Sequence, residues 1–303
     1  MIRRLLVVAT CVGALLVGGA VAASADEIAE HLERQSGAVF SGEQSVVCVT
    51  PDGRQSELFE IGQNSDGITA TRDQEGIVRV GSASRSEAWD ASSTYTLVAS
   101  STGRFLNRTV EQIDVMEGDL LRVRLRFDTS TGVVLASDIF NSDGTTYCST
   151  RFLSFTEGDP GIAAGQGLVV DGESPMTIDP TADIDAVLPI ILAGFDRLGI
   201  TDGPQATVLS AFYGDGVFTF TLMNSVNAIA VPELEEAGTI DFDGNQYRRS
   251  FQLGRAVYSW NSTSGGYVLV GDVPIDVQQR ILAELPEPAS QGFFQRLWRG
   301  LFG

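Results

Sequence analysis

The chain has 303 residues, room for two domains of ordinary size, and its 43% hydrophobic content is that of a folded globular protein. Against 39 acids stand 20 bases, all of them arginine, for a net charge of −19. That balance argues against nucleic acid as a partner, because phosphate binding needs a basic footprint.

The N-terminus reads as an export signal. Arg3 and Arg4 precede an apolar run from Leu5 to Val21, and Ala23-Ser24-Ala25 is a small-residue cleavage site, so the mature chain is expected to begin near Asp26. The run is close to the ~18 residues that span a bilayer, and a retained anchor is the alternative. Cleavage removes two bases and no acid, leaving 18 against 39 and a net of −21. It also removes Cys11. The two remaining cysteines, Cys48 and Cys148, are expected to form a disulfide between the first and last strands of an N-terminal sheet; two buried free thiols are the alternative.

A short helix is predicted from Glu27 to Arg34, with Ile28 and Leu32 on one face. Strands follow at Ser45–Thr50, Gly67–Thr71, Gly76–Val80 and Thr94–Ala99. The clearest is Leu120–Phe127. There Leu121, Val123, Leu125 and Phe127 alternate with Arg122, Arg124 and Arg126, so one face is apolar and the other cationic. On a sheet curved around an incompletely filled interior, the four apolar residues would line a pocket for an acyl chain; ordinary core is the alternative. The arginine row reads as a solvated outer face or as a surface for an acidic peptide. Turns at 128–132 and 141–144 lead to strands at Val133–Phe140 and Thr145–Phe155.

The Gly-, Asp-, Pro- and Ala-rich stretch 158–181 is expected to be a linker. Beyond it a helical stretch is predicted from Ala182 to Leu198, interrupted by Pro189. Strands are predicted at Thr207–Phe212, Gly216–Met223, Thr239–Phe242, Tyr247–Leu253, Arg255–Trp260 and Tyr267–Asp272. A closing helix, Ile275–Leu285, puts Val277, Ile281, Leu282 and Leu285 on one face, with Pro274 at its first turn. Asp241-Phe242-Asp243-Gly244-Asn245 has the start of a calcium loop without its downstream glutamate, and a hairpin turn is the better reading. After the spacer 286–292, Phe293, Phe294, Leu297, Trp298, Leu301 and Phe302 fall on one side of a helix, opposite Arg296 and Arg299. That pattern suits docking to a membrane or a partner, or packing back onto the chain. The expected domains are a signal peptide (1–25), a β-rich domain (26–157), the linker, a smaller α+β domain (182–286) and the tail (287–303).

The pattern points to binding rather than catalysis. His31 is the one histidine in the sequence, which leaves no Ser-His-Asp or Cys-His arrangement and no histidine-rich metal site. No glycine-rich phosphate loop lies in strand-turn-helix context, and no cofactor or metal is expected.

A succession of motifs resembles the MucB/RseB family. In the first half these are Ala38-Val39-Phe40-Ser41-Gly42, the hairpin Phe127-Asp128-Thr129-Ser130-Thr131-Gly132-Val133-Val134-Leu135-Ala136-Ser137, Asp143-Gly144, and Phe152 with Phe155. In the second half they are Leu188-Pro189 with Gly194-Phe195, Tyr213-Gly214-Asp215-Gly216, and the run from Gly265 to Pro274. The resemblance covers nearly all of the mature chain in order. Gly214 departs from it, standing where the family turn has Ser, and the basic aromatic tail is not part of it.

The resemblance implies an α+β, mainly β protein: an open antiparallel half-barrel with a covering helix, like lipoprotein carriers, followed by a smaller α+β domain. It implies a periplasmic or otherwise extracytoplasmic regulator of an envelope-stress sigma factor; association with the outer face of the cytoplasmic membrane is an option that the aromatic tail, not the resemblance, leaves open. Such a regulator binds the extracytoplasmic segment of an anti-sigma factor and is released by a lipid or lipoprotein signal. A lipid or lipoprotein carrier with no regulatory partner is the alternative.

Overall fold

The computed structural model describes residues 34–35, 37–50, 53–76, 78–82, 94–165, 184–202, 208–225, 238–252 and 255–289. The expected export signal, the first helix up to residue 33, His31, residues 166–181 of the expected linker and the tail at 293–303 lie outside them. The chain divides into two compact units. The first is Met1–Pro175 with two later segments, Gly214–Thr219 and Asp272–Val277; the second is Met176–Tyr213, Phe220–Gly271 and Gln278–Gly303.

Nine strands build the first sheet. They are β1 (Phe40–Thr50), β2 (Gly53–Gln63), β3 (Ile68–Asp73), β4 (Val78–Ser82), β5 (Tyr95–Phe105), β6 (Arg108–Glu117), β7 (Leu120–Asp128), β8 (Val134–Phe140) and β9 (Thr146–Glu157). Their spatial order is β4-β3-β2-β1-β9-β8-β7-β6-β5, antiparallel throughout. β4 and β5 are not paired with each other, so the sheet is open. β1 and β9 meet at its centre, with Cys48 directly opposite Cys148, and the two form a disulfide. This bond fits an oxidising compartment.

Local chemistry sets the register at both ends of these strands. Gly42 lets β9 approach: a Cβ there would lie 2.2 Å from the Ser154 carbonyl and 2.9 Å from the Phe152 ring. The Phe152 ring then packs edge-on against Phe40 and Phe155. The β7–β8 turn is held by Asp128. Its Oδ2 accepts from the Thr131 amide (3.0 Å), the Thr131 hydroxyl (2.6 Å) and Arg108 Nη2 (2.9 Å). Gly132 closes the turn at φ 73°, a conformation other residues rarely take. The Asp-x-x-Thr-Gly pattern is thus a self-bonded turn. After β9, Gly161–Gly165 forms a 3₁₀ turn with Ala163 buried.

The second sheet has eight strands. These are β10 (Ile191–Leu192), β11 (Phe195–Asp202), β12 (Val208–Gly214), β13 (Thr219–Ser225), β14 (Gly238–Phe242), β15 (Asn245–Gln252), β16 (Arg255–Ser262) and β17 (Gly265–Gly271), in the order β10-β11-β12-β13-β17-β16-β15-β14. Helix α2 (Ile275–Glu284) follows β17 and buries Val277, Ile281 and Leu282, with Leu285 just beyond it, as the sequence spacing predicts. Asp241–Asn245 is the β14–β15 hairpin.

The helix expected over Ala182–Leu198 is corrected. Among its described residues, 184–198, only α1 (Ile184–Val187) is helical. Pro189 lacks the amide a further turn needs, and the chain then turns back as a hairpin. Ala193 (φ 53°) and Gly194 (φ 87°) are its two loop residues, between the Leu192–Phe195 pair. Two residues at positive φ make the tight turn that suits twisted antiparallel strands.

Candidate functional site

The apolar face of the nine-stranded sheet is the candidate site. Residues directly opposite in adjacent strands point to the same face, so the register traces a row across six strands. It runs from Leu97 to Val115, Val123, Ile139, Cys148 and Cys48. A second row runs from Ala99 through Ile113 and Leu125, then turns polar at Ser137 and Thr150. Of the four residues singled out in β7, Val123, Leu125 and Phe127 are buried and Leu121 is half-buried. Leu97, Ile113 and Val115, which the sequence reading did not pick, are fully excluded from solvent. The disulfide belongs to this same face. The face is apolar across β5, β6 and β7 and turns polar toward its margins, where Glu111 stands opposite Phe127 and Glu57 opposite Val46.

The opposite face is a ladder of charges. Arg124 forms a two-pronged pair with Asp114 on β6 (Nε–Oδ1 2.8 Å, Nη2–Oδ2 2.7 Å). Asp138 on β8 takes Arg126 (3.3 Å), Arg151 (2.8 Å) and the Ser149 hydroxyl (2.6 Å). Arg124 and Arg126 are thus half-buried members of an outer face whose charges are matched within the sheet. These arginines already hold carboxylates from their own sheet.

Arg122 departs from the expectation of a solvated row, being 1% exposed. Its Nη2 bonds Asp276 Oδ2 at 2.9 Å, its Nε lies 3.1 Å from Glu117 Oε2, and its guanidinium stands over the Phe218 ring at 5.8 Å. Asp276 and Phe218 come from the two later segments that complete this unit. Nearby, the Tyr95 hydroxyl donates to Asp215 Oδ2 at 2.6 Å, while Asp215 Oδ1 caps its own turn through the amides of Val217 (2.9 Å) and Phe218 (2.8 Å). Burial pushes the Asp215 carboxyl above its ordinary range, and these hydrogen bonds offset the push only in part. Burial, with the Asp215 charge beside it, also raises the Tyr95 hydroxyl, which stays protonated as the donor. Asp128 shifts the other way. Burial acts to raise its carboxyl, but Arg108 and Thr131 outweigh burial and hold it below the usual range.

Among the described residues no group of three or more His, Cys, Asp or Glu could hold a metal ion. No described helix is long and apolar enough to cross a membrane.

No protein-family model matches the chain, and no curated protein sequence does. Solved structures do match. A crystal structure of MucB aligns at 20% identity and TM-score 0.54, covering 89% of this chain and 100% of that one. MucB in complex with MucA(peri) aligns at 20% identity and TM-score 0.51, covering 88% of this chain and 100% of that one. The chain has the MucB fold. Coverage of this extent takes in the strands of both sheets, so the MucB likeness is not confined to one half of the chain. In this MucB fold the disulfide-bearing strands β1 and β9 are central, and the Asp128 and Asp215 turns are the structural content of two motifs that carried the family resemblance.

Proposed function

We propose that the protein is an extracytoplasmic regulator of an envelope-stress sigma factor. It binds the extracytoplasmic segment of an anti-sigma factor and senses a lipid or lipoprotein acyl chain on the apolar face of the nine-stranded sheet. The observation that carries this reading is the fold agreement along nearly the whole chain with MucB, a protein crystallised with MucA(peri). The disulfide adds support, since it fits the oxidising side of the membrane.

In this reading Leu121, Val123, Leu125 and Phe127 contact the acyl chain. Three of them are buried in this conformation, so a ligand must displace what shields them, and that displacement is the signal. The tail residues Phe293, Phe294, Leu297, Trp298, Leu301 and Phe302 dock at the outer face of the cytoplasmic membrane or on the partner.

The test is an affinity pull-down of the mature protein from its own cell envelope, with proteins and lipids identified by mass spectrometry. Enrichment of a single-span anti-sigma protein that acylated ligand displaces is the expected result. Recovery of lipid or lipoprotein with no membrane regulator would replace this reading with that of a carrier.

A further inference from the structure

Among the described residues, the second sheet leaves one strand edge without a neighbouring strand. β10 pairs with β11 only at Phe195 and Asp196, and the Arg197 amide adds a bond to the Ile190 carbonyl (2.8 Å). From Leu198 to Asp202, β11 has β12 on one side and no described strand on the other. Backbone groups alternate between the two edges of a strand. Because the Arg197 amide faces β10, those of Gly199 and Thr201 face the uncovered side. Leu198, Gly199 and Thr201 are exposed.

The same corner is apolar. Six large hydrophobic side chains are exposed among the described residues, and three of them lie here: Ile190 (58%), Ile191 (62%) and Leu198 (44%). Proteins usually blunt such an edge with lysine or with a proline within the strand; β11 has neither. Its one cation, Arg197, is spent internally on Asp185 (2.8 Å) and on the Leu188 carbonyl. The charge left outward is acidic: Asp196 is exposed, while Asp185 is taken up by Arg197.

We infer that the outer edge of β11 is a strand-addition site for an extended partner segment carrying apolar and basic side chains. Backbone pairing at Gly199 and Thr201 supplies the register, Ile190, Ile191 and Leu198 the apolar contact, and Asp196, with the acidic charge of the whole chain, the selection for positive charge. A second copy of this chain fits less well, because it brings the same acids and a net charge of −19. The inference stands independently of the anti-sigma reading, since it names a chemistry and not a protein.

The probe is a fluorescent nine-residue peptide of alternating valine and arginine, titrated against the full mature protein by anisotropy. Its counterparts are the valine–glutamate peptide and the valine–arginine peptide N-methylated along one edge. Binding should weaken at least tenfold with either counterpart and with Leu198→Arg, a substitution at an exposed position that should leave the melting temperature unchanged. Hydrogen exchange at Gly199 and Thr201 should slow on binding. Equal binding of all three peptides, binding indifferent to Leu198→Arg, or unchanged exchange at those two amides would overturn the inference. So would a dimer in sedimentation that Leu198→Arg dissolves, which would assign the edge to a second copy.

Discussion

Asp128 and Asp215 perform the same local task with opposite electrostatics. Each accepts hydrogen bonds from its own turn, but Asp128 has a guanidinium at 2.9 Å and Asp215 a phenol at 2.6 Å. Burial raises both carboxyls; the Arg108 charge and the Thr131 bonds outweigh it at Asp128, which sits below its ordinary range, while neutral hydrogen bonds alone do not at Asp215, which sits above it. By linkage, the Asp128 contribution to stability is complete above the unfolded-state carboxylate pKa and is lost as pH falls through the depressed folded value. The Asp215 contribution runs the other way: it is complete at acid pH and is lost as pH rises through the raised folded value. Asp128→Asn should cost about 1.5–3 kcal/mol at neutral pH, the worth of buried hydrogen bonds to a charged group, and progressively less in acid. Asp215→Asn should cost less at neutral pH than in acid, because the amide is spared the burial of a charge. Urea titrations of both variants at a series of pH values measure this. Parallel pH dependences in the two would show that the pairing chemistry does not set the shifts.

Strand β7 was legible from the sequence because its apolar and charged residues alternate without a break, and its apolar face carries the candidate site. β6 was not read as a strand. Val110 is out of phase with Ile113 and Val115, and acids and glutamine fill the gaps, so its buried residues show only once β5 and β7 flank it. β2 escaped for a related reason, since its first half is polar and exposed. Residues 188–198 were misread as helix because Ile190, Leu192, Phe195 and Leu198 have near-helical spacing, while the decisive signal was the two-residue loop at Ala193-Gly194. The burial of Arg122 could not be read locally, because its partner Asp276 lies 154 positions away. The disulfide was legible from compartment and count. It closes a loop with a sequence separation of 100, so reducing it should lower stability by about 4–5 kcal/mol on the chain-entropy account. Equilibrium denaturation with and without reductant checks this, and denatured, unreduced mature protein should show no reactive thiol. At the chain's other end, deleting residues 293–303 should weaken binding to anionic liposomes or to the native partner. Unchanged binding to both would assign those side chains to packing on the chain itself.

For the molecule as a whole, a binding protein that answers a signal must bind its two ligands unequally in two states. A ligand that fits both states equally shifts nothing, however tight its binding. In the proposed reading the apolar face is the sensor, and because Leu97, Ile113, Val115, Val123 and Leu125 are buried in the conformation described, an acyl chain would have to favour another. Reciprocity then fixes a number without knowledge of that second state. If acylated ligand weakens the partner segment by a given factor, the partner segment must weaken acylated ligand by the same factor, typically about 5–150-fold for coupling of this kind. Two calorimetric titrations of the mature protein measure it, one with acylated ligand in the presence and absence of saturating partner segment, the other with the roles exchanged. Equal factors above unity would establish one linked equilibrium between the two ligands. If acylated ligand displaces the partner in the pull-down while these factors stay at unity, the release arises elsewhere in the envelope and the apolar face is not the sensor.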